Sequence, residues 1–294
     1  MKPAPFAYHA PRTLDEALTL LDDYGTDAKA LAGGQSLIPA MNFRLATPSI
    51  LVDLNGIESL SYVRNGGEVL RVGAMTRHRI LERSDAIARR TPLVAAAMPF
   101  VAHPAIRTRG TLGGSLAHAD PAAELPAVML ALDATFTLRN RSGSRTVAAT
   151  EFFAGLFTTT LETGELLTEI AIPLASARTG YAFDEISRRH GDFALAGAAA
   201  AIALDEKGRC SSVRVALLSV ADRPVMAEHA TRALAGHTPT PELIREAAEA
   251  AAAEDIDPSN DIHASSRYRR HLASILIRRV VEQALRSVAM GEGR

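Results

Sequence analysis

Cysteine is almost absent from this chain of 294 residues, since Cys210 is the only one. One thiol cannot form an intramolecular disulfide, and it cannot by itself hold an iron–sulfur cluster, which needs about four thiolates. The zinc signatures CxxC and HExxH are missing as well, so we predict no metal-ligating residues. If the protein handles electrons, the sequence predicts an organic cofactor.

An excess of charge of either sign is also missing. The chain has 32 Lys and Arg against 33 Asp and Glu, a formal net charge of −1, which disfavours nucleic acid as an obligate partner. The first residues lack an apolar stretch of signal-peptide length, and no later run approaches about 18 uninterrupted apolar residues. These absences predict a soluble cytoplasmic protein without an integral membrane segment.

The common nucleotide fingerprints GxGxxG and GxxxxGK[ST] are missing, but two Gly-Gly pairs stand beside hydroxyl residues. They occupy residues 32–36 (AGGQS) and 111–115 (TLGGS). Glycines allow consecutive backbone N–H groups to approach one anion without a Cβ in the way, and a helix that starts directly afterwards adds its own free N–H groups. The pairs therefore predict two loops that cradle a pyrophosphate, although each could also be a simple turn.

The pattern of apolar residues predicts two domains. Thr13 and Glu16 form a capping box before a helix, and the strand, helix and strand at 27–32, 37–45 and 50–54 give a βαβ-like rhythm. Residues 102–119 show little periodicity, and the small, polar residues 174–180 suit a linker. Beyond the linker we predict strands at 181–187, 194–204 and 212–220, then helices at 225–234, 241–253 and 265–285. On the last helix the predicted solvated face carries Arg267, Arg269, Arg270, Arg278 and Arg279.

Three segments carry a resemblance to a known family. Residues 32–44 (AGGQSLIPAMNFR) and 107–127 (RTRGTLGGSLAHADPAAELPA) resemble the two FAD-binding segments of the flavoprotein subunits of carbon monoxide dehydrogenases. The same segments occur in xanthine dehydrogenase and other molybdenum hydroxylases. Residues 187–194 (SRRHGDFA) resemble the segment that opens the second domain in that family. The resemblance extends over about residues 6–285.

The resemblance implies an α+β fold with two domains. Residues 1–175 would form a two-lobed FAD-binding domain of the vanillyl-alcohol-oxidase/p-cresol-methylhydroxylase type. Residues 180–287 would form a smaller α+β domain with a three-stranded antiparallel sheet plus helices. The chain would be the FAD-carrying subunit of a molybdenum hydroxylase, and would bind FAD non-covalently. The [2Fe-2S] clusters and the molybdenum cofactor would belong to a small and a large partner subunit, in a dimer of heterotrimers.

The same resemblance implies the cofactor-binding residues, and no catalytic residue. Lys29 and Leu31 would lie beside the adenosine half, His118 and Glu124 would contact the flavin half, and Leu167 would pack on a ring of the cofactor. Ser115 stands where the family often has Asn, and its shorter hydroxyl keeps one hydrogen bond but loses the second one of the amide. The residues expected to line the pyrophosphate and ribityl chain are Ala32, Gly33, Gly34, Gln35, Ser36, Leu37, Thr111, Gly113, Gly114 and Ser115.

Two other functions are compatible with the sequence. One is a self-sufficient FAD-dependent oxidase or dehydrogenase of the same fold, and the other is a cofactor-free assembly subunit whose glycine pairs are only turns. Carbon monoxide, a purine and an N-heterocycle all remain open as substrates of the complex, and NAD, quinone and oxygen remain open as electron acceptors.

Overall fold

A βαβ lobe opens the chain in the computed structural model, which describes residues 2–174 and 177–291. Its elements are β1 (Ala7–His9), α1 (Leu14–Tyr24), β2 (Ala28–Leu31), α2 (Leu37–Asn42) and β3 (Ile50–Asp53). The strands are parallel in the order β1-β3-β2, and the predicted capping box of Thr13 and Glu16 begins α1. Leu18 and Leu21 bury the apolar face of α1 in the core of this lobe. The predicted βαβ rhythm is confirmed, while β1 was not predicted.

The second lobe is an antiparallel sheet covered by short helices. Its strands pair in the order β4-β5-β10-β6-β7, and β6 and β7 form a hairpin. In the core, the rings of Phe136 and Phe152 pack edge to face with centroids 4.8 Å apart. The elements of the lobe are β4 (Val63–Asn65), β5 (Val69–Gly73), α3 (His78–Arg83), α4 (Asp85–Arg90), α5 (Pro92–Ala97), α6 (Pro104–Arg107), α7 (Leu112–His118), α8 (Glu124–Ala131), β6 (Thr135–Asn140), β7 (Gly143–Ala148), α9 (Ala149–Phe152), β8 (Phe153–Gly155), β9 (Thr158–Thr159) and β10 (Leu166–Pro173).

The stretch 102–119, predicted to be irregular, contains the helices α6 and α7. Pro104 occupies the first turn of α6, and the Thr111 side chain caps α7 by accepting a hydrogen bond from the N–H of Gly114. Glycine disfavours a helix interior by about 1 kcal/mol relative to alanine, so a Gly-Gly pair in the first turn conceals the helix from a periodicity analysis. The second glycine pair is therefore the start of a helix, and the prediction of a loop there was wrong.

The C-terminal domain combines a four-stranded antiparallel sheet with three helices. Its elements are β11 (Thr179–Ser187), β12 (Ala194–Leu204), β13 (Cys210–Leu218), β14 (Val225–Met226), α10 (Glu228–Leu234), α11 (Pro241–Glu254) and α12 (Ser266–Gly291). The three predicted strands are confirmed, but β14 adds a fourth beside β13, in a segment predicted to be helical. In the predicted linker, Ala175 and Ser176 lie outside the described residues, and β11 already begins at Thr179.

The C-terminal sheet packs on the second lobe through an apolar interface. The rings of Phe100 and Phe183 lie 5.1 Å apart across it, and one cluster of buried side chains includes residues from both sides. Arg214 of β13 adds a hydrogen bond of 2.8 Å to the carbonyl of Leu130 in α8. Within the two described ranges, none of the helices has the length and apolar character needed to cross a membrane.

Arg269 departs from the predicted solvated face of the last helix. Its side chain is only 8% exposed and donates hydrogen bonds to the carbonyls of Leu195, at 2.6 Å, and Ser219, at 3.1 Å. The guanidinium also pairs with Asp261 at 2.6 Å. The prediction was wrong for this residue, because it ties α12 to the sheet of its own domain.

Candidate functional site

The first glycine segment, residues 32–36, connects β2 to α2 and leaves its backbone donors free. Gly34 has φ +74°, a conformation that residues with a side chain rarely adopt. The amide of Gln35 donates back to the carbonyl of Gly33 at 3.1 Å. Within the described part of the chain, no acceptor is bonded to the backbone N–H groups of Gly33, Gly34, Gln35 and Ser36. The segment therefore offers a row of donors to a ligand.

The second glycine segment, residues 111–115, uses its backbone donors inside the protein. The N–H of Leu112 bonds to the carbonyl of Thr76 at 3.0 Å, and that of Gly113 bonds to the carbonyl of Ala74 at 2.8 Å. The N–H groups of Gly114 and Ser115 both bond to Thr111, to its hydroxyl and its carbonyl respectively. The prediction that both segments present N–H groups to one pyrophosphate was thus wrong for the second.

The two segments lie against each other. A Cβ on Gly33 would lie 2.8 Å from the Cα of Gly110 and would also clash with the carbonyl oxygen of Arg109. A Cβ on Gly114 would lie 3.3 Å from the Cβ of Ala32 and 2.6 Å from the hydroxyl of Thr111. Gly33 therefore could not carry a side chain without moving the backbone of residues 109–110, and the absence of a side chain at Gly114 lets α7 begin directly against Ala32.

Side chains from two further elements join the segments from behind. The Asn55 amide donates to the carbonyl of Ala32 at 2.9 Å, and Arg77 donates to the Asn55 side chain at 2.6 Å. Arg77 also donates to the carbonyl of Arg109. Sequence reasoning missed Asn55 and Arg77, because neither belongs to a glycine motif and their partners lie 22 to 32 residues away.

The residues predicted for the two ends of the cofactor lie around the place where the two glycine segments meet, here called the junction. Lys29 is exposed and Leu31 half-buried on β2, which leads into the first segment. His118 ends α7 and is half-buried, with its ring 5.1 Å from that of Phe157. Burial lowers the pKa of His118, Asp120 opposes this shift, and the charge of Lys29 adds to it. The end of α7 therefore lies close enough to β2 for the two side chains to interact electrostatically.

The structure gives no direct support for a ligand contact at Leu167, at the His118 and Asp120 pair, or at Arg188. Leu167 is 6% exposed and belongs to the apolar core on β10, so a contact with a cofactor ring stays a prediction. In the described residues, no group of three or more His, Cys, Asp or Glu side chains could hold a metal ion, and His118 with Asp120 forms no such group. In the predicted second-domain segment, Arg188 is exposed and pairs with Asp192 at 3.5 Å.

One buried and one half-buried acid face the interface between the domains. Glu124 is the first residue of α8 and is 8% exposed, and burial raises its pKa to about 7. Glu185 lies on β11, and its Oε2 is buried with no hydrogen-bond partner among the described residues. Burial raises the pKa of Glu185 to about 8, and the charges of Glu124 and Asp184 contribute further. Glu185 was not singled out from the sequence, because an acid on a strand gives no local signal of burial.

Known proteins resemble this chain over nearly its whole length. Residues 4–175 match the family described as the FAD binding domain in molybdopterin dehydrogenase, and residues 181–284 match the carbon monoxide dehydrogenase flavoprotein C-terminal domain. The 6-hydroxypseudooxynicotine dehydrogenase complex subunit alpha of Paenarthrobacter nicotinovorans is 42% identical, over 97% of this chain and 96% of that protein. The carbon monoxide dehydrogenase medium chain of Afipia carboxidovorans is 39% identical, over 97% and 98%.

Solved structures agree with these sequence matches. One solved structure is the carbon monoxide dehydrogenase from Hydrogenophaga pseudoflava, in a form of the enzyme that lacks the Mo-pyranopterin moiety of the molybdenum cofactor. A chain of it superposes with a TM-score of 0.94, at 40% identity, over 97% of this chain and 98% of that one. A chain of quinoline 2-oxidoreductase from Pseudomonas putida 86 gives 0.93, also at 40% identity, over 98% and 99%.

Proposed function

The chain belongs to the family of FAD-binding medium subunits of molybdenum hydroxylases, and we propose that it is the electron-transfer subunit of a heterotrimeric enzyme of this kind. Proteins of the family are oxidoreductase components with an FAD-binding domain followed by a flavoprotein C-terminal domain. The substrate of the complex lies among those of molybdenum hydroxylases, which include carbon monoxide, purines and N-heterocycles.

The row of free N–H groups from Gly33 to Ser36 carries this proposal. A pyrophosphate has only acceptor oxygens and a negative charge, so it matches donors that lack a protein partner. Gly114 has no side chain to project toward the first segment, where a Cβ would lie 3.3 Å from the Cβ of Ala32. The donor set and the missing Cβ therefore fit FAD, and non-covalent binding would suffice.

Each predicted residue then has a distinct contribution. The first segment supplies backbone donors, whereas Thr111 caps α7. Ser36 and Ser115 supply hydroxyl donors, and Lys29 and Leu31 border the adenosine half. His118 and Glu124 would lie toward the flavin half. When bound, FAD supplies an electron carrier that connects one-electron and two-electron donors and acceptors.

The inorganic centres would be in partner subunits. Cys210 is the only thiol of the chain, and a [2Fe-2S] cluster needs four ligands. The relatives named as medium chains or medium subunits imply separate large and small subunits. Electrons would pass from the clusters of the small subunit to this chain and leave it for an external acceptor, and the heterotrimers would pair as a dimer.

Purification of the tagged full-length chain from its native host tests the proposal. We expect it to bring down an iron–sulfur subunit and a molybdenum subunit, with one FAD per chain that acid precipitation releases into the supernatant. The identity of the large subunit selects the substrate for a dye-reduction assay, in which the lone FAD-loaded chain should be inactive. Turnover by the lone chain at the rate of the assembly would instead establish a self-sufficient flavoenzyme. A chain that binds no FAD even in its complex would indicate a cofactor-free assembly subunit.

A further inference from the structure

Two carbonyl groups of the first glycine segment accept hydrogen bonds from side chains, whereas its N–H groups have no protein acceptor. The Asn55 side chain donates to the carbonyl of Ala32, and the Gln35 side chain donates to that of Gly33. In a planar trans peptide the C=O and the N–H point in opposite directions. A hydrogen bond to the Ala32 carbonyl therefore directs the N–H of Gly33 away from Asn55. The bond to the Gly33 carbonyl likewise directs the N–H of Gly34 away from the Gln35 side chain.

Arg77 extends this network to the second segment. Its guanidinium donates to the Asn55 side chain and to the carbonyl of Arg109, and its backbone forms an isolated bridge with Thr111. The Asn55 amide is itself fixed, because the Asp53 carboxylate accepts both its backbone and its side-chain N–H groups. Asn55 and Arg77, here called the clamp, thus connect the backbone of both glycine segments.

The clamp also brings positive charge to the junction. Arg77 donates to neutral oxygens, and neither Arg77 nor Arg109 forms an ion pair with a carboxylate among the described residues. Burial lowers the pKa of Arg77, and the charge of Arg109 lowers it further, with Asp53 opposing both. Two cations near one another are unfavourable unless an anion lies nearby. A phosphate group at the junction would supply that anion.

We propose that Asn55 and Arg77 are positioning residues for FAD, which orient the free N–H groups of the first segment and hold the two segments at the spacing a pyrophosphate needs. The inference rests on the proposed FAD-binding function. It assigns these two residues a role through the backbone that they hold, and requires no contact between them and the cofactor.

The test is an FAD titration of flavin-depleted complex that contains Asn55→Ala, Arg77→Met or both. Each single change should raise the dissociation constant of FAD at least about tenfold, which corresponds to the loss of one or two hydrogen bonds. The double variant should bind no more than about twofold worse than the weaker single variant, because both residues act in one network. Arg77→Lys keeps the charge but loses the forked geometry, so it should be intermediate.

Matched controls separate positioning from general destabilisation. Arg71→Met removes another arginine of the same lobe, exposed and paired with Glu169, and should leave FAD affinity unchanged. Thermal unfolding of the flavin-free variants should shift by only a few degrees. Full additivity in the double variant, or wild-type affinity in Arg77→Lys, would overturn the positioning role. If wild-type complex binds FAD and both single variants match it, only the inference is wrong, whereas a wild-type complex that takes up no FAD would contradict the proposed function itself.

Discussion

The two glycine segments look alike in sequence but use their backbones in opposite ways. Residues 32–36 leave four consecutive N–H groups without a protein acceptor, whereas residues 111–115 bond theirs to Ala74, Thr76 and Thr111. The first segment supplies donors to a ligand, and the second supplies a rigid wall against which the first is placed. A Gly-Gly pair next to a hydroxyl residue thus indicates a close approach of backbones, and the free donors must be located in the structure.

Gly34→Val should cause the largest loss of FAD affinity, because it changes the backbone that carries the free N–H groups of residues 33–36. Valine strongly disfavours the φ of +74°, so residues 33–36 would have to change conformation and the N–H groups would no longer converge. We expect FAD affinity to fall at least about a hundredfold, a loss of about 3 kcal/mol of binding free energy. Fluorescence titration of flavin-depleted complex measures the change.

Gly208→Val provides the matched control for that variant. Gly208 has the same φ of +74°, lies in the turn between β12 and β13, and has open space around its Cβ position. The backbone strain should therefore cost similar stability at both sites, while FAD affinity should remain at the wild-type value in Gly208→Val. Equal affinities in the two valine variants would show that the first segment does not bind the cofactor.

Alanine at Gly113 or Gly114 tests the second segment, with a smaller expected effect. A Cβ at Gly113 would meet the backbone of Ala74 at 2.8 Å, so Gly113→Ala should cost about 1–3 kcal/mol of unfolding free energy. A Cβ at Gly114 would lie 2.6 Å from the Thr111 hydroxyl, which caps α7, and 3.3 Å from the Cβ of Ala32. Alanine favours a helix by about 1 kcal/mol, which offsets a similar loss from the disturbed Thr111 cap, so Gly114→Ala should remain nearly as stable as the wild type.

The two alanine variants should therefore differ in which property they lose. Gly114→Ala should weaken FAD binding about tenfold with little change in the melting temperature of the flavin-free chain, while Gly113→Ala should lower that temperature by several degrees. Differential scanning calorimetry and FAD titration on the same preparations make the comparison. A Gly114→Ala variant with full affinity and reduced stability would mean that the glycine at this position matters for packing alone.

Local chemistry explains which parts could be predicted from the sequence. The capping box of Thr13 and Glu16, the strand β2 and the first glycine segment depend on residues within a few positions of one another, so their pattern is visible in the chain. The difference between Gly113 and Gly114 depends on Ala74 and Ala32, which are brought close only by tertiary packing. Asn55, Arg77 and Glu185 likewise gain their environments from distant segments, and nothing beside them in the sequence indicates it.

The two glycine segments also differ in their neighbours, since the chain that follows the second segment contacts the C-terminal domain. Residues 119–123 follow α7, and the carbonyl of Pro121 accepts from the N–H of Ser219 at 2.8 Å. Glu124 then begins α8 at the domain interface, where Glu185 lies on the opposite side. Asp120 and Asp184 add negative charge, Arg107 acts weakly on Glu124, and Arg279 pairs with Asp184 at 3.5 Å. Rising pH should therefore weaken the packing at the domain interface around Glu124 and Glu185, and should leave the contacts of Asn55 and Arg77 unaffected.

Glu185→Gln should remove most of that pH dependence, and it is the smallest effect predicted. The pKa of Glu185 is about 8 in the folded chain against 4.5 for an unperturbed glutamate, so the folded state holds more protons between these values. The free energy of unfolding must then fall as pH rises from about 4.5 to about 8, because stability falls wherever the folded state binds more protons. Glutamine keeps the shape and has no titratable proton. Because Glu185 is only half-buried, solvent screening reduces the effect, and the decline should shrink by about 1 kcal/mol. Urea unfolding of the flavin-free chain at pH 5, 6.5 and 8 measures it, with the exposed Glu206→Gln as control, and an unchanged decline in Glu185→Gln would show that the interface acids do not set the stability of this side.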